Sequence, residues 1–219
     1  RLTGSGAAKP RTVLTVALVF FGLAAVAGVI LVVIVAQYWL LAVGAVSIVA
    51  AYFSTGGKRP YGYYGLGELF VFVFFGLVAT VGTTYGQEEA LFPGGNWLDS
   101  LIAGAAIGFV ACAVLMVNNI RDLPQDKLAG KRTFAVLIGN TAARIVFAVF
   151  LVLAFLAPVY FGLLYSNVYY TYFVLSLAGP AILITLTAKT PRELVTALQL
   201  TSLTALFFAI GLGWGIVSF

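Results

Sequence analysis

From Thr12 to Gly57 no side chain carries a charge. A crossing helix needs about 20 apolar residues to span about 30 Å of hydrocarbon, so this run alone is long enough for two passes through a membrane. The Gln37-Tyr38-Trp39 cluster near its middle has the amphipathic aromatics of a membrane interface and marks the break between them. The same test predicts seven crossings: Thr12 to Ala36, Tyr38 to Ser54, Leu66 to Tyr85, Trp97 to Asn119, Ala142 to Leu164, Val168 to Ala188 and Leu194 to Val217. Composition agrees, with 62% hydrophobic residues and 9% charged in 219. A soluble domain has roughly a quarter of its residues charged, so the surplus apolar surface here faces lipid. The expected fold class is an all-α polytopic helix bundle in a single integral-membrane domain.

The scarce charges set the orientation. All twelve Lys and Arg fall before the first span, in the loops after the second, fourth and sixth or, for Arg144, at the very start of the fifth span, whereas Glu88 and Glu89 lie in the loop after the third span and Asp99 at the start of the fourth. The positive-inside bias makes the basic face cytoplasmic. Histidine is absent, which excludes imidazole as base, zinc ligand or proton relay. The single Cys112 permits no intrachain disulfide and, among Ala and Val, reads as a buried inert thiol. Pro158 and Pro180 fall inside predicted spans, where each removes a backbone hydrogen bond.

The loop after the fourth span is the richest in chemistry. Asn118, Asp122 and Asp126 stand at i, i+4 and i+8, so a continuing helix would align them as hard oxygen ligands on one face. Pro124 is expected to disturb that continuation and leave Asp126 on a bent or broken turn. Two carboxylates one turn apart suit Mg²⁺, which takes one or two and completes its octahedron with water and phosphate oxygens. Lys127, Lys131 and Arg132 can neutralise the phosphate charge that remains, and Arg121 belongs to the same diphosphate and metal environment. Ordinary loop charges that snorkel to headgroups would account for the basic residues alone. They account less well for Asn118 and Asn119 beside two Asp at a helix end, since a polar cluster at a membrane boundary costs free energy unless it binds something.

Lys58 and Arg59, in a loop rich in Gly and Tyr, could present cations to a diphosphate or an acidic aromatic ring; a flexible interfacial loop looks similar. Glu68 opens an apolar helix, where an ionisable group is a functional candidate, with Lys58 or Arg59 as its expected partner. A transporter or seven-helix receptor is the competing class. It fits poorly, because the predicted helix interiors hold no ionisable residue near the midplane and the last has no Lys for a Schiff base.

Asn118-Asn119-x-Arg121-Asp122-x-x-x-Asp126-x-x-x-Gly130-Lys131-x-Thr133 resembles the second Asp-rich motif of the UbiA-type intramembrane aromatic prenyltransferases. The spelling is closest to the menaquinone-pathway branch, which prenylates 1,4-dihydroxy-2-naphthoate. The Gly57-Lys58-Arg59-Pro60 loop, the Gly67-Glu68 helix start and Arg1-Leu2-Thr3-x-Ser5-Gly6 are similar to that branch as well. The resemblance implies a nine-helix fold of which these are the last seven, with two helices and a first Asp-rich motif missing from this chain. It implies Mg²⁺ on Asp122 and Asp126, helped by Asn118 and Asn119, and catalytic roles among Lys58, Arg59 and Glu68. The implied partners are a polyprenyl diphosphate, the naphthoate and membrane lipid, with no nucleic acid. The implied place is the bacterial plasma membrane, with the site on the cytoplasmic side. Another aromatic acceptor, such as 4-hydroxybenzoate, stays open, because the Asn-Asn-x-Arg-Asp spelling is the one ground for preferring the naphthoate.

Overall fold

The computed structural model describes residues 9–57, 60–91 and 97–218, and among them every regular element is helical. The chain divides into two compact units, Arg1–Tyr52 and Phe53–Phe219. In the first, α1 (Pro10–Val35) begins with Pro10 in its first turn, where a missing N–H costs nothing, and stops at Ala36 in the left-handed region, φ 55°. Val32 is the buried residue of α1 among the described residues. The interfacial break predicted at Gln37 to Trp39 is where the backbone turns into α2 (Leu40–Thr55).

In the second unit, α3 (Gly67–Val71), a π-helical stretch (Phe72–Val78) and α4 (Ala79–Leu91) form one continuous rod. It is followed by α5 (Trp97–Leu128), α6 (Phe134–Ile138), α7 (Asn140–Ala154), α8 (Ala157–Gly162), a 3₁₀ stretch (Ser166–Val174), α9 (Leu175–Thr187) and α10 (Pro191–Val217). Helix α5 is the central post: the π-helical stretch, α7 and α10 pack around it. Its buried residues, from Ser100 to Asp126, include Ala113, Met116 and Val117, and the shared core adds Phe147, Leu151, Phe161 and Phe208 from its neighbours.

Six helical segments among the described residues are long and apolar enough to cross a membrane: Pro10–Val35, Gly67–Gln87, Trp97–Leu128, Asn140–Gly162, Ser166–Thr187 and Pro191–Val217. The seventh expected span is a shorter apolar helix, Leu40–Ser54, about 23 Å at 1.5 Å per residue. Pro158 does not kink an unbroken helix. The chain breaks at Phe155 and Leu156, and Pro158 lies in the first turn of α8. Pro180 does sit inside α9. The expected break at Pro124 is absent, since α5 runs through it to Leu128. Pro124 is exposed in the last two turns, where the Ile120 carbonyl it orphans lies close to the helix end.

The rod and α5 approach closely because both offer glycine. A Cβ on Gly76 would lie 2.6 Å from the Gly104 carbonyl oxygen and 2.6 Å from the Gly108 Cα. One on Gly108 would lie 2.8 Å from a Phe72 ring carbon. Gly104 and Gly108 are four residues apart on α5, the small-residue spacing that lets membrane helices touch along their backbones. Helix α10 starts at a capping box, in which the Thr190 hydroxyl accepts from the Glu193 N–H and the Glu193 carboxylate accepts from the Thr190 N–H.

Candidate active site

At 1.5 Å per residue, the 32 residues of α5 extend about 48 Å, more than the roughly 30 Å of a hydrocarbon core. The excess falls at the C-terminal end, from Asn118 onward, where the sequence turns polar. That end forms a ledge. Arg121 donates from Nε to Asp122 Oδ1 at 2.8 Å and from Nη2 to Asp122 Oδ2 at 3.1 Å, and Nη2 also reaches Asn118 Oδ1 at 2.7 Å. One guanidinium thus binds two of the oxygen-bearing side chains that helical spacing aligns.

The third, Asp126, is held by the way the helix ends. The Lys131 N–H bonds the Asp126 carbonyl at 2.9 Å and the Gly130 N–H bonds that of Lys127 at 3.2 Å, a paired closure that requires the left-handed φ of 69° at Gly130. This turn carries Lys131 back over the last helical turn, where its Nζ meets Asp126 Oδ1 at 3.0 Å. Asp126 is 3% exposed, so its charge would be costly without a cation so placed. The Gly-Lys pair of the motif therefore has a structural basis: Gly130 makes the turn, and Lys131 uses it to reach Asp126.

The loop before α3 joins the same ledge. Pro60 leads into a 3₁₀ turn, Tyr61–Tyr64, which ends at Gly65 with φ 79°. The Arg132 N–H donates to the Tyr63 carbonyl at 2.9 Å, and the Lys131 ammonium lies 4.7 Å from the centre of the Tyr63 ring, within cation–π range. Tyr61 stacks on Phe70 with ring centres 3.8 Å apart. Burial pushes the Tyr61 phenol above its ordinary pKa, partly offset by a hydrogen bond with Ser54, so it stays neutral at physiological pH.

Glu68 is 5% exposed, and its described partner is Asn119, whose Nδ2 donates to Oε1 at 2.9 Å. Its Oε2 has no hydrogen-bond partner among the described residues. The Cys112 thiol donates to the Glu68 carbonyl at 3.1 Å, so the buried cysteine fastens the start of α3 to α5. The two asparagines of the motif point to different work: Asn118 joins Arg121 and Asp122, and Asn119 joins Glu68.

The structure thus brings together Asn118, Arg121 and Asp122 in one cluster, Asp126 and Lys131 in a second, and Asn119 with Glu68 in a third, all on the last four turns of α5 and what it touches. Arg132 contributes its backbone to Tyr63 and has an exposed side chain. Lys58 and Arg59, including their expected pairing with Glu68, lie outside the described residues. Sequence reasoning missed Tyr63 as a partner of Lys131, the Glu68–Asn119 pair and the glycine contacts. Gly104-x-x-x-Gly108 was a legible signal for the last of these.

No cluster of three or more His, Cys, Asp or Glu occurs among the described residues. The donor set suits a hard cation that needs few protein ligands: carboxylate and amide oxygens of Asn118 and Asp122 gathered by one guanidinium, and Asp126 two turns beyond Asn118.

Other contacts on the same side tie further loops together. Arg144 of α7 donates from Nη1 to the carbonyls of Thr185 at 2.8 Å and Leu186 at 3.3 Å, satisfying the C-terminal end of α9. At the other ends of these helices, Tyr160 donates to Asp99 Oδ1 at 2.8 Å, and the Asn167 amide donates to the Ser218 carbonyl.

Residues 1–211 match the UbiA prenyltransferase family. The chain is 46% identical over 147 residues to the 1,4-dihydroxy-2-naphthoate octaprenyltransferase of Mycobacterium tuberculosis, a match that covers 67% of this chain and 48% of that protein. It is 42% identical over 152 residues to the Mycobacterium leprae protein of the same name, covering 69% of this chain and 50% of the relative. The Escherichia coli protein of that name is 42% identical over 104 residues, 48% of this chain and 32% of the relative. The chain spans about half the length of the two mycobacterial relatives it matches. No solved structure gives a significant match. The Asp-rich ledge on α5, the membrane-crossing helices and a family match over nearly the whole chain agree: it belongs to the UbiA prenyltransferase family.

Proposed function

We propose that the protein transfers a polyprenyl group from a polyprenyl diphosphate to 1,4-dihydroxy-2-naphthoate with release of diphosphate and CO₂, giving demethylmenaquinol, the reduced form of demethylmenaquinone, on the cytoplasmic side of a bacterial plasma membrane. The observation that carries this reading is the ledge itself, with two aspartates, an asparagine and their cations at the membrane edge of a buried helix. The activity for which the mycobacterial relatives are named suggests the acceptor.

In this reading Asp122 and Asp126, with Asn118, hold Mg²⁺. The ion, when bound, contributes charge neutralisation of the leaving diphosphate. Arg121, Lys131 and Arg132 surround the same diphosphate with N–H donors, a task the resemblance extends to Lys58 and Arg59. This lowers the barrier to breaking the allylic C–O bond, because the charge that develops on the leaving oxygens meets fixed positive groups. The prenyl chain stays in the bilayer while its head reaches the ledge. The naphthoate ring forms the new C–C bond at the allylic carbon, then loses its carboxyl group as CO₂. A proton must be held during this exchange, and the chain has no histidine to do it. Glu68 suits the task, since Oε1 is fixed by Asn119 while Oε2 has no partner among the described residues and can accept from an acceptor hydroxyl.

The test is to incubate full-length protein in nanodiscs with Mg²⁺, a polyprenyl diphosphate and a panel of aromatic acceptors, and to identify products by mass. Prenylated, decarboxylated naphthoate is expected. A product with 4-hydroxybenzoate alone would move the acceptor assignment, and no product with any acceptor would favour transport.

A further inference from the structure

Both aspartates of the ledge already have a cation. Asp122 is bound by Arg121 through both carboxylate oxygens, at 2.8 and 3.1 Å, and Asp126 by Lys131 at 3.0 Å. Their side chains are 21% and 4% exposed, so water screens these pairs only in part. From Asn118 to Thr133 the chain carries four cations, Arg121, Lys127, Lys131 and Arg132, against these two carboxylates. A bare divalent cation must displace a guanidinium or an ammonium to reach these carboxylate oxygens. A diphosphate meets attraction, and each cation it draws off uncovers a carboxylate. Lys131 is placed for such a move, because the Tyr63 ring, 4.7 Å from its ammonium, remains a partner when the carboxylate is released.

Granting that the site takes a diphosphate, we propose that Arg121 and Lys131 hold Asp122 and Asp126 until that diphosphate draws them off, so that metal and diphosphate enter this site as a pair and not metal first. The two ligands then assist each other by the same factor, whichever is measured.

The experiment uses full-length protein in nanodiscs. Mn²⁺ is titrated alone and followed by electron paramagnetic resonance in the wild type, Arg121→Gln and Lys131→Gln. Radiolabelled methylene diphosphonate is then measured by equilibrium dialysis with Mg²⁺ or with EDTA. Removing a unit charge beside a dication is expected to tighten Mn²⁺ binding about tenfold in either variant. Both variants should bind diphosphonate more weakly and gain less from Mg²⁺ than the wild type. Arg121→Lys and Lys131→Arg keep the charge and are expected to bind Mn²⁺ as the wild type does, which separates the effect from misfolding. Mn²⁺ binding no tighter in the Gln variants, or metal and diphosphonate binding independently in the wild type, would overturn the paired entry while leaving the diphosphate reading intact. Failure of the wild type to bind diphosphonate under any condition would overturn both.

Discussion

Asp122 and Asp126 lie one helical turn apart, yet each has its own cation and its own environment. Asp122→Ala and Asp126→Ala are each expected to lower Mg²⁺-dependent prenyl transfer at least about a hundredfold, on the scale of losing a group that stabilises developing charge. The folded protein should persist, as judged by circular dichroism and size-exclusion elution; near-normal turnover in either variant would remove that residue from the site. Asp126→Ala also leaves Lys131 without its buried partner, so it should be the less stable of the two. At Glu68 the informative pair is Glu68→Gln and Glu68→Ala. The amide keeps an acceptor for Asn119 but cannot take a proton, so turnover should fall in both variants while Glu68→Gln retains wild-type thermal stability. Full activity in Glu68→Gln would show that this side chain only holds Asn119. The residue types of the ledge were legible because membranes tolerate so few polar groups that each stands out. Their pairings were not, because Arg121 reads as a partner of the diphosphate and Asn118 and Asp122 as oxygen ligands until the guanidinium is seen across them.

At the level of elements, two departures have one origin. Pro124 removes a single hydrogen bond, and in an exposed final stretch the rest of the helix outweighs that loss. Local rules overstate the break because they take no account of the turn at Gly130, which secures the helix end from beyond. The close seat of the rod on α5 likewise depends on what lies opposite each glycine, and no single segment encodes that. Gly108→Val should force Phe72 and its backbone away from α5, lowering the thermal midpoint in detergent by several degrees. An unchanged midpoint would mean that the two backbones have room to spare. Gly130→Val places a β-branched residue at φ 69°, at a cost of about 1–2 kcal/mol. It should loosen Lys131 from Asp126 and so reduce diphosphonate binding more than it reduces stability. Equal losses in both would instead make the turn a purely structural device.

At the scale of the whole molecule, helical class was the most legible, since a bilayer permits few architectures, and the charge bias divided the loops into two sides. Contacts in the structure bear on the same division. Tyr63 meets Arg132, and Arg144 meets the end of α9, on the side predicted to be cytoplasmic; Asp99 meets Tyr160 at the other ends. The helix count was less secure where length decides, at Leu40–Ser54, and irregular stretches such as Phe72–Val78 and Ser166–Val174 left no periodic signature. In the proposed reaction the ledge is where a prenyl diphosphate is ionised in front of a naphthoate. The most direct measurement is mass analysis of product from full-length protein given Mg²⁺, a polyprenyl diphosphate and 1,4-dihydroxy-2-naphthoate, run beside Asp122→Ala and Asp126→Ala. Demethylmenaquinol, or the demethylmenaquinone it gives on oxidation in air, from the wild type and almost none from either variant is the predicted result; equal product from all three, or none from the wild type, would contradict it.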